Sequence, residues 1–347
     1  MKKYFAVSDI HGFYKELRTS LKNVGFDVNN NEHILIVCGD IFDRGDEPIK
    51  VYKFLKSLPK ERVILIRGNH EDLFLKLLKK DFPESYDFSN GTVKTFCDIA
   101  RFNYHDLYDF NLEFFSFKTD EEREEREKIA LEDWKFVKRK VARSYITKWL
   151  QSEQWVNFYE LGKYIFVHSF IPCRNNTSMG NYYVEINQYK KWWEYKPGWR
   201  NKATKKEWYE AMWGCPYKQF DAGLFDKEKK KGKVLVCGHW RTSSFHEHYE
   251  GIEDNYDIYK GENLIALDAC TAISGKVNVL VIEEDELKDS NAIKKDLKEL
   301  NKLKTLVQKN CVGFTLEQVV EKGLYQIYLE QMCDIMCPEP EEEEEEY

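Results

Sequence analysis

The sequence predicts an α/β fold built on a largely parallel, covered sheet, and two observations carry that expectation. First, short apolar runs alternate with amphipathic helical stretches through the first part of the chain. That order lays helices over a parallel sheet. Second, five of the apolar runs end in groups that can bind a metal: Asp9-Ile10-His11, Gly39-Asp40-Ile41-Phe42-Asp43-Arg44-Gly45, Gly68-Asn69-His70-Glu71, His168 and Gly238-His239. In an open α/β sheet the strand ends deliver side chains to one edge, where ligands bind. Singly these groups read as caps, turns or hydrogen-bonded core histidines. Together, and in this order, they read as a metal cluster.

The elements follow in turn. Strand Tyr4–Ser8 leads to an amphipathic helix from about Phe13 to Val24, then a polar loop and strand Ile34–Cys38. Pro48 suits the first turn of a helix running to about Leu58. Strand Arg62–Ile66 and a helix from about Asp72 to Lys80 follow. From about residue 81 to 161 strands disappear and charged helical sequence takes over, a helical insertion or cap. Its Glu/Arg/Lys run, Thr119–Arg143, reads as a solvated helix face. Strand Tyr164–Val167 restarts the sheet and ends at His168.

A second insertion, about residues 172–231, is rich in lysines and rings: Tyr182, Tyr183, Trp192, Trp193, Tyr195, Trp199, Trp208, Tyr209 and Trp213. The favoured reading is that the rings pack the insertion onto the core. The other is a substrate-facing lid that stacks bases or grips a peptide. Strands Lys233–Cys237, Leu264–Leu267 and Val277–Ile282 are expected to complete a second sheet. The domain so outlined covers residues 1–285, C-terminal helices cover 286–336, and an acidic, disordered tail covers 337–347.

Bulk properties narrow the class. The chain has 347 residues, 42% of them hydrophobic, ample for a large core. No apolar run is long enough to span a bilayer, and the N-terminus runs straight into the first strand and motif. Nine dispersed cysteines without a C-x-x-C pair fit buried, reduced thiols in a cytoplasmic protein. A net charge of −7 argues against stable nucleic-acid binding. It leaves an acidic substrate open, because bound cations dominate their local field.

A two-metal hydrolytic site needs ions roughly 3.5–4 Å apart. A carboxylate between two such groups of ligands can bridge them, which makes Asp40 the natural bridge. Asp9 and His11 can converge on one ion only where the strand has ended. Asn69 offers an amide oxygen; His168 and His239 offer imidazole nitrogens. Mixed nitrogen and oxygen donors suit Mn, Fe or Zn better than Ca.

These blocks resemble the calcineurin-like metallophosphoesterase superfamily, with its D-x-H, G-D-x-x-D-R-G, G-N-H-E, H and G-H motifs. Asp40 to Gly45 with Arg67 to Glu71 is most similar to the serine/threonine phosphoprotein phosphatase branch, in its compact bacterial and phage form of the lambda-phage type. Asn90-Gly91-Thr92, Trp213-Gly214-Cys215-Pro216 and Ala266-Leu267-Asp268-Ala269-Cys270 are similar to blocks in phosphatase-like proteins of low-GC bacteria and their phages.

The resemblance spans about residues 1–285 and implies a four-layer α/β/β/α sandwich carrying two divalent metal ions, Mn first with Fe or Zn as alternatives. Asp9, His11 and Asp40 would hold the first ion, and Asp40, Asn69, His168 and His239 the second. His70 would be the general acid, oriented by Asp43, and Arg44 would bind phosphoryl oxygens. A metal-bridging hydroxide would attack directly, without a phosphoenzyme. The implied activity is phosphomonoester hydrolysis, with phosphoserine or phosphothreonine proteins as the first substrate class. Dinucleoside tetraphosphates or other nucleotides are the second, and a non-catalytic metal-binding scaffold is the rival of another kind. Two positions depart from the pattern. Arg241 stands where many members carry a further histidine, and could meet the substrate. No arginine stands near Trp213 where the phosphoprotein phosphatases have one; Arg174 or Arg200 could substitute.

Overall fold

The computed structural model describes residues 2–113, 119–178, 180 and 184–287. The C-terminal helices, the acidic tail, Tyr182 and Tyr183 lie outside the described residues.

The described residues hold twelve strands: β1 (Lys3–Val7), β2 (His33–Cys38), β3 (Val63–Ile66), β4 (Trp155–Val156), β5 (Phe158–Leu161), β6 (Tyr164–Val167), β7 (Cys173–Asn175), β8 (Trp193–Tyr195), β9 (Val234–Cys237), β10 (Tyr259–Lys260), β11 (Leu264–Ala266) and β12 (Leu280–Glu283). The first sheet has the order β12-β1-β2-β3-β4, and the second β10-β11-β9-β6-β5; β7 and β8 form a small hairpin. Strands β1 to β4 are parallel, as are β11, β9 and β6. The outer strands β12, β10 and β5 run antiparallel to their neighbours.

Alternation along the strands sorts side chains into layers. Tyr4, Ala6, Ile36 and Cys38 face inward with Phe166, Val236 and Leu267 of the second sheet, closing a core between the sheets. Phe5, Val7, Leu35 and Val37 face outward onto helices of the first face. Ile165, Val167, Leu235 and Cys237 do the same on the second. A strand buried on both sides must be apolar at every position, which is why these strands read as continuous runs.

The first face carries α1 (Tyr14–Asn23), α2 (Pro48–Ser57), α3 (Asn69–Leu77), α4 (Ser85–Ser89), α5 (Thr92–Ala100), α6 (Tyr104–Glu113), α7 (Asp120–Ala142) and α8 (Tyr145–Leu150). Helix α7 buries only the stripe Ala130, Trp134, Val137 and Val141, so its charged residues form the solvated face its sequence suggests. The Thr119 hydroxyl caps it, accepting from the Glu122 N–H at 3.1 Å. The second insertion holds α9 (Ile186–Trp192), α10 (Trp199–Lys202), α11 (Lys205–Met212), α12 (Pro216–Asp221) and α13 (Asp226–Lys229). Then α14 (Thr242–Glu250) and the short α15 (Thr271–Ser274) follow. Tyr189, Trp193, Trp199 and Trp208 are buried in the second outer core, as the packing reading expects.

Three features differ from the sequence reading. The helical stretch expected to reach residue 161 ends in β4 and β5, one strand in each sheet. Strand β4 has only two residues, and β5, Phe-Tyr-Glu-Leu, is interrupted by a charge and half-buried throughout, so neither reads as an apolar run. The segment expected to finish the second sheet is β12, which instead pairs with β1 in the first. Helix α3 begins at Asn69 rather than near Asp72, because the Glu71 carboxylate reaches back to the Gly68 N–H at 2.7 Å.

One buried ion cluster knits the second insertion together, and Arg200 ties it to Glu160 of β5 at 2.9 Å. Glu228, fully buried, accepts from Arg200 at 3.0 and 3.1 Å, Tyr195 at 2.6 Å, Lys231 at 3.1 Å and Trp199 at 3.3 Å. Burial alone would raise its pKa; the hydrogen bonds from Arg200, Tyr195 and Lys231 overcome this and hold it down at about 2. A carboxylate depressed on folding contributes stability above its unfolded pKa and loses it as pH falls through the folded one. Glu228→Gln is therefore expected to cost about 3 kcal/mol near neutral pH. Urea unfolding should show that deficit shrinking as pH falls from about 5 towards 2.

Candidate metal centre

Strands β1, β2, β3, β6 and β9 stop one to three residues before Asp9, Asp40, Asn69, His168 and His239 respectively. Beyond the first, second and last of these strands the backbone turns left-handed at Asp9 (φ 50°), His11 (48°), Asp40 (55°), Asp43 (72°), Arg44 (65°) and His239 (67°). These six are among nine non-glycine residues described with positive φ, so strain gathers at this edge. The left-handed steps swing Asp9 and His11 to the same side: His11 Nε2 lies 3.9 Å from Asp9 Oδ1 and 3.8 Å from Asp40 Oδ2.

The loops meet at backbone contact. A Cβ on Gly68 would stand 2.6 Å from the Asp40 nitrogen, and one on Gly238 would stand 2.7 Å from Ser8 Cβ. Only glycine permits either approach. The His239 N–H donates to Asp9 Oδ2 at 2.9 Å, tying the β9 loop to the β1 loop, and the Ser8 hydroxyl donates to the same oxygen.

The donor set fits a cation. The Nδ1–H of His168 donates to the Cys38 carbonyl at 2.8 Å, which leaves Nε2 with a lone pair. That lone pair faces Asn69 Oδ1 at 2.7 Å, His239 Nδ1 at 3.2 Å and Asp40 Oδ1 at 3.5 Å. Acceptors converging at such range repel one another unless a positive charge lies among them. His11 is held alike: its Nδ1–H donates to the Phe42 carbonyl at 2.9 Å, turning Nε2 towards Asp9 and Asp40. Burial lowers the pKa of His11, His168 and His239, keeping them in the neutral form a metal requires. Burial would raise the Asp40 pKa, but the imidazoles of His168, His70, His11 and His239 bring it well below the usual range. Asp9 is raised by burial and by the charges of Asp268 and Asp40. Two groups of ligand atoms thus share Asp40, one with His11 and His70 and one with His168 and His239.

Beside them lies the His70–Asp43 pair expected to supply the acid. His70 Nδ1 bonds Asp43 Oδ2 at 2.6 Å. The ring's other nitrogen, Nε2, stands 3.9 Å from Asp40 Oδ2 and 3.5 Å from Arg44 Nη2. Burial would lower the His70 pKa, yet Asp40 and the bond to Asp43 raise it above the ordinary value. Asp43 is itself fixed by the first insertion: Thr92 and Thr95 of α5 each donate to its carboxylate at 2.8 Å.

Glu71 is wholly buried and accepts three backbone N–H groups, from Asp40 and Ile41 at 3.0 Å and Gly68 at 2.7 Å. It staples the loop carrying Asp40 to the loop carrying Asn69. Burial and the charge of Asp40 push its pKa up to about 7.

These groups border a cleft of about 390 Å³. Asp9, His11, Asp40, Asn69, His70, Arg44 and His239 line it, and Asn90, Trp213, Trp240, Arg241, Ser244, Asp268 and Cys270 complete the wall. His168 sits directly behind Asn69 and His239. Arg241 lies exposed on the wall, whereas Arg200 is bound into the Glu228 cluster and Arg174, on β7, is not part of the lining. The sequence reading missed Glu71, Thr92, Thr95 and Asp268 as site residues. Glu71, Thr92 and Asp268 stand inside blocks it singled out; nothing in the sequence marks Thr95. Asp268, raised to about 6 chiefly by burial, accepts the Cys270 N–H at 2.7 Å.

A two-sheet sandwich with two ligand groups sharing one carboxylate at its strand ends defines a metallophosphoesterase. The chain belongs to the calcineurin-like phosphoesterase family, whose model matches residues 2–241. It is similar to the symmetrical bis(5′-nucleosyl)-tetraphosphatase of Buchnera aphidicola subsp. Acyrthosiphon pisum (strain 5A), 44% identical over 71 residues, which is 20% of this chain and 24% of that protein. It is also similar to Shewanella-like protein phosphatase 1 of Plasmodium berghei (strain Anka), 40% identical over 84 residues, 21% of this chain and 23% of that one. The match thus spans about a quarter of the length of these curated relatives. Among solved structures, a cold-active protein-tyrosine phosphatase of a psychrophilic Shewanella species aligns at a TM-score of 0.43 and 18% identity, over 82% of this chain and 76% of that chain.

The staple yields a test. In Glu71→Gln an amide N–H replaces one acceptor and faces backbone N–H groups. Calorimetric titration of metal-stripped protein with Mn²⁺ should show affinity reduced about 10–100-fold. Unchanged affinity would mean that Glu71 does not set the ligand loops.

Proposed function

We propose that this chain is a metal-dependent phosphoesterase with two candidate substrate classes, the phosphomonoesters of phosphoserine and phosphothreonine proteins and the nucleoside polyphosphates. The observation that carries the reading is the convergence of acceptor-only groups on Asp40 beside the His70–Asp43 pair.

Asp9, His11 and Asp40 would hold one divalent cation; Asp40, Asn69, His168 and His239 would hold the other, with Mn favoured and Fe or Zn compatible with the nitrogen and oxygen donors. Bound there, two cations neutralise phosphoryl oxygens and lower the pKa of water. The chain's own residues do the rest. Arg44 presents a guanidinium to the phosphoryl oxygens. His70 gives a proton from Nε2 to the leaving oxygen while Asp43, clamped by Thr92 and Thr95, holds Nδ1 and stabilises the charged ring. Arg241 is the second phosphate-binding arginine, since Arg200 is consumed in its buried cluster.

A nucleotide substrate is the second reading, favoured by Trp213 and Trp240 in the cleft wall. A non-catalytic scaffold is disfavoured, because every expected ligand converges and a proton donor stands among them. A cytoplasmic setting accords with the six described cysteines, all free thiols and five of them buried.

Metal-stripped protein supplied with Mn²⁺ should release phosphate from monoesters, and none from any substrate without metal. His70→Asn should lower kcat by about 10²–10⁴ for an alkyl phosphate, whose leaving oxygen needs the proton. Its effect on 4-nitrophenyl phosphate, whose leaving group departs as an anion, should be much smaller. Equal losses on both substrates would remove His70 from the acid role.

A further inference from the structure

The cleft has one feature that phosphoryl chemistry does not require. Two indoles stand in its wall, one from each side of the second ligand group. Trp213 ends the second insertion's helix α11, and Trp240 follows His239 directly. Both meet the His239 ring edge-on, Trp213 at 6.0 Å and 85°, Trp240 at 6.4 Å and 76°. Each is also braced from behind: Trp213 by Tyr209 at 6.2 Å, Trp240 by Tyr217 at 5.8 Å. Tyr209 in turn lies under the Lys76 ammonium of α3 at 3.7 Å, which pins the insertion to the helix that begins at Asn69. Both indoles are only partly buried, and both border open cleft. Large rigid rings held at the mouth of a charged site are suited to a planar ligand, and every nucleobase has a face to stack.

The charges nearby suit the rest of a nucleotide. Arg44 reaches His70 at the reaction centre. Arg241, next to Trp240, is exposed; among the described residues its side chain makes one hydrogen bond, from Nε to the Ser244 hydroxyl at 3.3 Å, and Asp268 and Cys270 lie within reach of its charge. Its terminal nitrogens therefore remain available for a phosphate beyond the one being cleaved. A concave cleft of about 390 Å³ is of small-molecule size, where an extended peptide would call for a groove.

We propose that Trp213 and Trp240 form a base-stacking subsite and that Arg241 holds a neighbouring phosphate, so that nucleoside polyphosphates are preferred over phosphopeptides. This rests on the phosphoesterase reading, and decides between its two substrate classes.

The test uses the full chain loaded with Mn²⁺. For the parent, kcat/KM for diadenosine tetraphosphate should exceed that for a phosphothreonine peptide. Trp213→Ala and Trp240→Ala should each lower the ratio of kcat/KM for the dinucleotide to that for glycerol phosphate by about tenfold, through KM. Trp240→Phe, which keeps a ring, should recover most of it. A second arm does not depend on turnover. On a His70→Asn background, calorimetry should show adenosine 5′-monophosphate binding about tenfold more tightly than ribose 5-phosphate, with the difference lost in either alanine variant. If no substrate is turned over but that difference holds, the phosphoesterase reading fails and the subsite stands. Equal binding of the two ligands, or equal losses for ringed and ringless substrates, would overturn the subsite.

Discussion

The rest of the structure depends on placing the Asp40 carboxylate between two sets of lone pairs. His168, with Asn69 and His239 against its Nε2, presents an acceptor to one of its oxygens, and His11 presents one to the other. Without a cation this arrangement is repulsive, so the protein must impose it. The means are local. Six left-handed residues turn the strand ends sharply, and two glycines let the loops touch. Glu71 holds two loops together through three N–H bonds, and the His239 N–H closes the ring through Asp9. Each left-handed residue costs on the order of 1–3 kcal/mol, which only an extensive core can offset. The three apolar layers supply it, and the cluster sits at the edge where two sheets and their shared core hold the loops rigidly.

Burial acts twice at this edge. It strips water from the imidazoles and so keeps them neutral, ready as ligands. One imidazole escapes that trend. His70 is as buried as the others, yet its Nδ1 meets Asp43 at 2.6 Å and its pKa rises instead. His11 and His168, proposed as ligands, thus differ from His70, proposed as the acid, in which partner occupies Nδ1. A backbone carbonyl there fixes a neutral tautomer, whereas a carboxylate stabilises the charged ring.

That distinction explains what could be read from the sequence. The ligand-bearing blocks were legible because each follows an apolar run, and strand ends share an edge. The strands Tyr164–Val167 and Val234–Cys237 were legible for the same reason: buried on both faces, they are apolar throughout. What escaped was long-range. Thr95 meets Asp43 across 52 positions, and no local pattern announces it. Glu71 looks like an ordinary residue in a first helical turn, and its three partners emerge only when two loops fold together. The partner of β12 likewise depends on the sheet's edge, a property of the whole topology.

The insertions, which looked least informative in sequence, touch the site at different depths. The first reaches the acid pair, through threonines behind Asp43. The second reaches the cleft wall through Trp213 and the residue after His168 through Gly214, while its buried tryptophans pack a core. The loop that carries His168 is tied to that insertion too, the Ser169 hydroxyl donating to the Gly214 carbonyl at 2.8 Å. Under the proposed mechanism, loss of an α5 threonine acts on proton delivery, and so on kcat for demanding leaving groups. A change in the second insertion acts on what the cleft admits, and so on the relation between substrates. Under the proposed roles, chemistry and selection draw mainly on different insertions, which meet the ligand loops at separate points, α5 at Asp43 and the second insertion beside His168.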